Sequence, residues 1–189
     1  GEGEGGGEGG ATLNPDIRFL RDLSFIEGHL RAGLALYRAG DLEAAKTHMG
    51  HPIKEKYDAV AERVQSEGKG ELKAQIIALA DAAEAEKDAA EVAAQFDLVK
   101  VMIDEMRGAA APATQVKALI ALTRIAGDEY TVAIEGGSIS NLHEYQDSWG
   151  FMQVVADEVD LLAATGDASV AGVADKLKGY VVATDEVFG

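Results

Sequence analysis

The three prolines, Pro15, Pro52 and Pro112, all stand where a helical apolar pattern begins, so none is placed to break a helix from inside. Glycines mark the opposite ends, at Gly40, Gly50, Gly68, Gly70, Gly108, Gly136, Gly137 and Gly166, as helix stop signals do. The segments between are rich in Ala, and none alternates apolar and polar residues as a half-buried strand would. The chain therefore reads as all-α, a bundle of about seven or eight mostly antiparallel helices. The pattern predicts helices over 15–39, 41–49, 52–66, 71–85, 88–107, 113–134, 141–164 and 168–185, with ends placed to within about 2–4 residues. In the last of these, "GYVVATDEVF" carries β-branched residues that equally suit an extended tail.

Of the 189 residues 47% are hydrophobic, enough for one sizeable core, and residues 13–189 are expected to form a single helical domain. The opening "GEGEGGGEGG" is different. Gly and Glu alone cannot pack, so residues 1–12 are expected to be a disordered, self-repelling tether. Its formal G-x-G-x-x-G at Gly1, Gly3 and Gly6 follows no strand, and its glutamates would repel a pyrophosphate. A tether at the first residue suggests an exported protein trimmed of its leader, with a lipid anchor outside the sequence as one arrangement. A periplasmic or cell-envelope location is the resulting expectation, with a cytoplasmic one as the alternative.

The formal charge is −16, from 33 acidic and 17 basic residues. Such a balance repels nucleic acid and anionic membrane surfaces and suits a metal ion or a basic protein partner. No cysteine is present, which removes disulfides, thiolate catalysis and thiolate zinc sites. No apolar run approaches the roughly 18 residues of a transmembrane segment.

In the first helix Phe19, Leu23, Ile26, Leu30, Leu34 and Tyr37 form one apolar stripe. In the helix from 141, Leu142, Tyr145, Trp149, Met152 and Val159 form another, widened by Phe151, Val155 and Leu162, and read as core rather than as a ligand pocket. The stretch "GLALYRAGDLEAAKTHM" resembles the middle of a tetratricopeptide repeat at Gly33, Ala35, Leu36, Tyr37, Gly40, Asp41, Glu43, Ala44 and Ala45. That resemblance covers one helical hairpin, has no second copy at the repeat's period of about 34 residues, and implies a protein-interaction module. In general organisation the chain is similar to imelysin-type exported helical proteins, but their G-x-H-x-x-E motif is absent and the family is not assigned.

"THMGHP" places His48, Met49 and His51 together in a chain with four histidines, the others being His29 and His143. If the first two helices form an antiparallel hairpin turning near Gly40, His29 and His48 differ in height by only about 4–5 Å. On a helical wheel both lie at the border of their apolar stripes. Gly50 and Pro52 predict a corner between two helices. His51 and Glu55 are one turn apart, whereas Glu27 projects away from His29. Imidazoles suit copper, iron or zinc, and a Met49 thioether would favour copper. A carboxylate such as Asp22, Glu55 or Asp147 should stand behind any imidazole ligand.

His29, His48 and His51, with Met49 or Glu55, are thus the expected ligands of a transition-metal ion or a metal-containing ligand such as haem. The protein is expected to be non-enzymatic. His143 and Glu144 are the acid–base candidates if it is an enzyme, with Glu144 otherwise stabilised in a first helical turn capped by Asn141. The loop "EGGSISN" is expected to shape a pocket mouth. There is no H-E-x-x-H, no G-x-x-x-x-G-K-[ST], no G-x-S-x-G and no pair of Glu-x-x-His motifs.

Overall fold

Asn14 accepts a hydrogen bond from the Asp16 backbone N–H at 2.8 Å and Pro15 follows it, so the first helix starts where its free N–H groups are either satisfied or absent. The computed structural model describes residues 13–188; the expected tether lies outside them. From that cap run α1 (Pro15–Ala39), α2 (Leu42–Glu55), α3 (Tyr57–Ser66), α4 (Leu72–Glu84), α5 (Ala89–Gly108) and α6 (Pro112–Ala133). After the short strands β1 (Ile134–Glu135) and β2 (Ser138–Ile139) come α7 (Leu142–Ala164) and α8 (Ala171–Phe188). The described chain is an all-α bundle of eight helices, and its last segment is helical rather than extended. No described helix is long and apolar enough to cross a membrane.

The α1 stripe is buried along its whole length, from Phe19 to Tyr37. It belongs to an apolar cluster with Met49 of α2, Val60 of α3, Ile76 and Leu79 of α4, and Val99 and Ile103 of α5. A second cluster joins Leu119 and Leu122 of α6, Phe151, Val155 and Leu162 of α7, and Ala174 and Leu177 of α8. Helix α1 packs against α2, α5, α6 and α7, and so lies between the two.

Small residues let α7 come close to α1. A Cβ at Gly150 would lie 2.3 Å from the Gly28 carbonyl oxygen, and one at Gly28 would lie 2.4 Å from Phe151 Cδ1. In an open helix Ala is preferred over Gly by about 1 kcal/mol. At this crossing Gly150→Ala is instead expected to cost about 1–3 kcal/mol, because two backbones must separate. A lower urea midpoint at unchanged m would report it; a raised midpoint would show that the helices have room to spare.

Three expectations need correction. Helix α2 does not end at Gly50: it runs through His51 and Pro52 to Glu55, and the break falls at Lys56. Pro52 cannot donate to the carbonyl four residues back, yet it is buried beside a fully buried Met49, and the next ladder bond, Lys56 N–H to Pro52 O at 3.1 Å, is made. Tertiary packing thus outweighs the local stop signals.

The α7 stripe is also less uniform than its periodicity suggests. Leu142 is exposed, while Tyr145 and Trp149 are half-buried and line an open apolar pocket of about 250 Å³ with Ala32, Ala35, Leu36, Ala39 and Gln146. Finally, "EGGSISN" forms a tight two-residue hairpin, with Gly136 and Gly137 at φ +59° and +81°, pairing Glu135 with Ser138. It is not among the residues lining that pocket.

Beside the crossing, Arg107 of α5 is 2% exposed and ties α1 to α7. Its guanidinium donates to Glu27 Oε2 at 2.6 Å, Glu158 Oε1 at 2.7 Å, Asp104 Oδ1 at 2.9 Å and Ser24 Oγ at 3.1 Å. Arg31 donates from Nε to Glu27 Oε1 at 2.8 Å and forms an ion pair with Asp157 at 2.6 Å. Burial opposes ionisation of Glu27, but Arg107 and Arg31 outweigh it and hold that carboxyl below its ordinary range. Glu158 shares the same cation, and there burial prevails and pushes its pKa up. Glu27 is therefore committed to this network, consistent with its projection away from His29.

Candidate metal centre

All four histidines of the chain meet at one place, where α1, α2 and α7 come together. The Gly28–Gly150 crossing brings His29 and Asp147 level, and the α1–α2 hairpin sets His48 opposite His29. His29 Nδ1 lies 2.7 Å from Asp147 Oδ1, and His48 Nδ1 lies 2.9 Å from that same oxygen. The side chains are 3%, 0% and 4% exposed. The border positions expected for His29 and His48 are thus interior ones. Their stripes were drawn against one neighbouring helix, whereas α7 covers the polar flank as well.

The alignment of these groups is informative. The contacts are short, yet His29 Nδ1, His48 Nδ1 and Asp147 Oδ1 have no hydrogen-bond partner. Leaving such a buried atom unsatisfied costs about 1–3 kcal/mol. His48 also places its other nitrogen, Nε2, 2.9 Å from Gln146 Oε1, an acceptor only. That contact assigns the Nε2 proton, so a neutral His48 turns the lone pair of Nδ1 towards the carboxylate oxygen. Two lone pairs at 2.9 Å need a cation between them, either a proton or a metal ion.

The separations of 2.7 and 2.9 Å are those a shared proton gives, and they lie close to those of adjacent ligands on a metal ion. Bonds of about 2.0–2.2 Å place adjacent ligand atoms about 2.8–3.1 Å apart in an octahedron and about 3.3–3.6 Å apart in a tetrahedron. One ligand atom each from His29, His48 and Asp147 lies within 4.8 Å of the other two. The donor set of two imidazoles and one carboxylate leaves positions open and suits Fe(II) or Zn(II). Gln146 behind His48 supplies the orienting contact that an imidazole ligand needs.

Charge follows from the same packing. Burial works against an ionised Asp147, but His29 and His48 beside it outweigh burial and hold its pKa well below the usual carboxylate range. Burial likewise opposes a charged His48, and Asp147 overcomes it, raising that pKa above the ordinary histidine value. His143 goes the other way, lowered by burial and then by the neighbouring His48 and His51.

The remaining expected residues fall around this centre. His143 stacks on His48 with ring centroids 4.3 Å apart, and its Nε2 lies 3.3 Å from both His51 Nδ1 and Asp147 Oδ2. His51 Nδ1 is 3.8 Å from Glu55 Oε1. Met49 is buried in the first apolar cluster, with Cγ against Gly33. Asp22 pairs with Arg21 and Lys56 instead. Asn141 caps α7 by accepting from the Glu144 N–H at 3.4 Å.

Sequence reasoning placed Asp147 behind an imidazole rather than at the centre, and it passed over Gln146 and Glu129. Burial, and then the adjacent Glu144 carboxyl, push Glu129 up to about 8. The available signal for Asp147 was its place among Ser148, Gly150 and Phe151, the face of α7 that is most buried.

A family model described as the iron permease-associated 4-helix bundle domain matches residues 105–179, under half of the chain. That segment holds His143 and Asp147, while His29, His48 and His51 precede it. No curated protein and no solved structure gives a significant match.

Proposed function

We propose that this chain is a non-enzymatic accessory protein of iron traffic at the cell envelope, which holds Fe(II) between His29, His48 and Asp147 for storage or transfer. The observation that carries the reading is the trio of buried, unbonded donor atoms converging on one point. Similarity to an iron permease-associated domain over 105–179 supports iron as the ion and the envelope as the setting. The nitrogen and oxygen donors agree with iron or zinc better than with copper, since Met49 packs against Gly33 in the apolar core. A net charge of −16 favours the approach of cations.

The test is anaerobic titration of chelator-stripped protein with Fe(II), with Zn(II) in parallel, on the wild type and on His29→Ala/His48→Ala. The tight phase of saturable binding is expected in the wild type alone. Ligand at about 100 times Kd adds about 2.7 kcal/mol of stability, which corresponds to a Tm rise of about 5–10 °C for a chain of this size. Equal, negligible binding by both proteins would end the proposal.

A further inference from the structure

Asp147 has two carboxylate oxygens: Oδ1 faces two imidazoles, and Oδ2 faces a third, His143, which in turn touches His51. Oδ1 faces His29 Nδ1 at 2.7 Å and His48 Nδ1 at 2.9 Å. Oδ2 faces His143 Nε2 at 3.3 Å, and that nitrogen is 3.3 Å from His51 Nδ1. One ring nitrogen has a single in-plane direction for a proton or a lone pair, so His143 Nε2 cannot bond both neighbours directly. Separations of about 3.3–3.6 Å are those of adjacent ligands around a tetrahedral ion.

We infer that Asp147 bridges two cation positions. The inner one is the buried centre at Oδ1; the outer one, which no relative or motif assigns, is made by His51, His143 and Asp147 Oδ2, with Glu55 as a further carboxylate ligand. This inference rests on the inner site proposed above and extends it. The pairing comes from the helices themselves. In the continuous α2, His48 and His51 lie three residues apart on one face and supply one imidazole to each position. In α7, His143 and Asp147 lie four apart, so the outer imidazole sits directly beside the bridging carboxylate.

Exposure distinguishes the two positions. The inner side chains are 4% exposed or less, whereas His51, His143 and Glu55 are 20%, 31% and 46% exposed. A divalent cation reaching the protein therefore meets the outer ligands first, with two carboxylates, Glu55 and Asp147, to offset its charge. The stacked rings of His48 and His143 then form the wall between the positions.

Co(II) is the probe, because its visible absorption reports coordination and its content can be measured after gel filtration. Chelator-stripped full chain should take up two Co(II) per molecule, the second more weakly. His51→Ala/His143→Ala should retain one Co(II) with inner affinity changed less than about threefold, and Glu55→Gln should weaken the second ion alone. Circular dichroism and thermal unfolding in chelator establish that each variant folds; His51→Asn/His143→Asn, which keeps polarity at the rim, serves if the alanine pair does not. A wild type that binds one Co(II), unaffected by loss of His51 and His143, overturns the outer site and leaves the inner one standing. A wild type that binds only one Co(II) and loses it when His51 and His143 are removed also overturns the outer site, since the four histidines would then share one position. No Co(II) bound by any protein removes both readings.

Discussion

Asp147→Asn is expected to lower affinity for Fe(II) or Co(II) by more than about 100-fold, since even the partners behind metal ligands cost 10–100-fold when removed. Asparagine keeps the volume and can still touch His29 and His48, so the change isolates the charge of the one oxygen that both imidazoles face at 2.7 and 2.9 Å. Equilibrium dialysis against buffered metal would measure it, and retention of wild-type affinity would show that the carboxylate is no ligand. The metal-free protein offers a second reading. Asp147 has a folded-state pKa depressed below its unfolded value. Its ionised form therefore contributes stability that is present above an unfolded pKa of about 3.9 and is lost as pH falls below it. In the variant, urea midpoints should decline less steeply on that acid limb.

Arg107→Ala is expected to cost about 3–5 kcal/mol, the usual consequence of removing one partner from a buried ion network. Glu27 at 0% and Glu158 at 4% exposure would lose their shared cation, with too little water within reach to replace it. A triple change, Arg107→Met with Glu27→Gln and Glu158→Gln, should recover most of that loss, because it removes the stranded charges as well as the cation. Urea denaturation of the two variants against wild type decides the matter. If the single and triple variants lose equally, packing of the Arg107 side chain and not charge balance holds this junction.

The helices were legible because each is written in local terms. The cap at Asn141, the starts at Pro15 and Pro112 and the α1 stripe need no knowledge of neighbours. Pro52 was misleading for a related reason: its local cost is real, but the burial that offsets it belongs to other helices. The convergence of His29 and His48 was readable from the register of one hairpin. Asp147 at their centre was not, since it arrives from about a hundred residues further along, through a crossing that depends on Gly28 and Gly150 fitting together. Arg107 was invisible in the same way. A single basic residue at a helix end looks like a favourable charge for the helix dipole until three helices close around it.

The close approach of α1, α2 and α7 has a further consequence in a chain without cysteine. An ion shared by His48 and Asp147 would staple segments about a hundred residues apart, a span over which a covalent cross-link is worth about 4–5 kcal/mol in chain entropy. Unlike a disulfide, this fastening opens without redox chemistry, whenever a competing ligand takes the ion. Removing the ion would also withdraw that staple between α7 and the α1–α2 hairpin, so metal occupancy and the stability of this junction would be coupled.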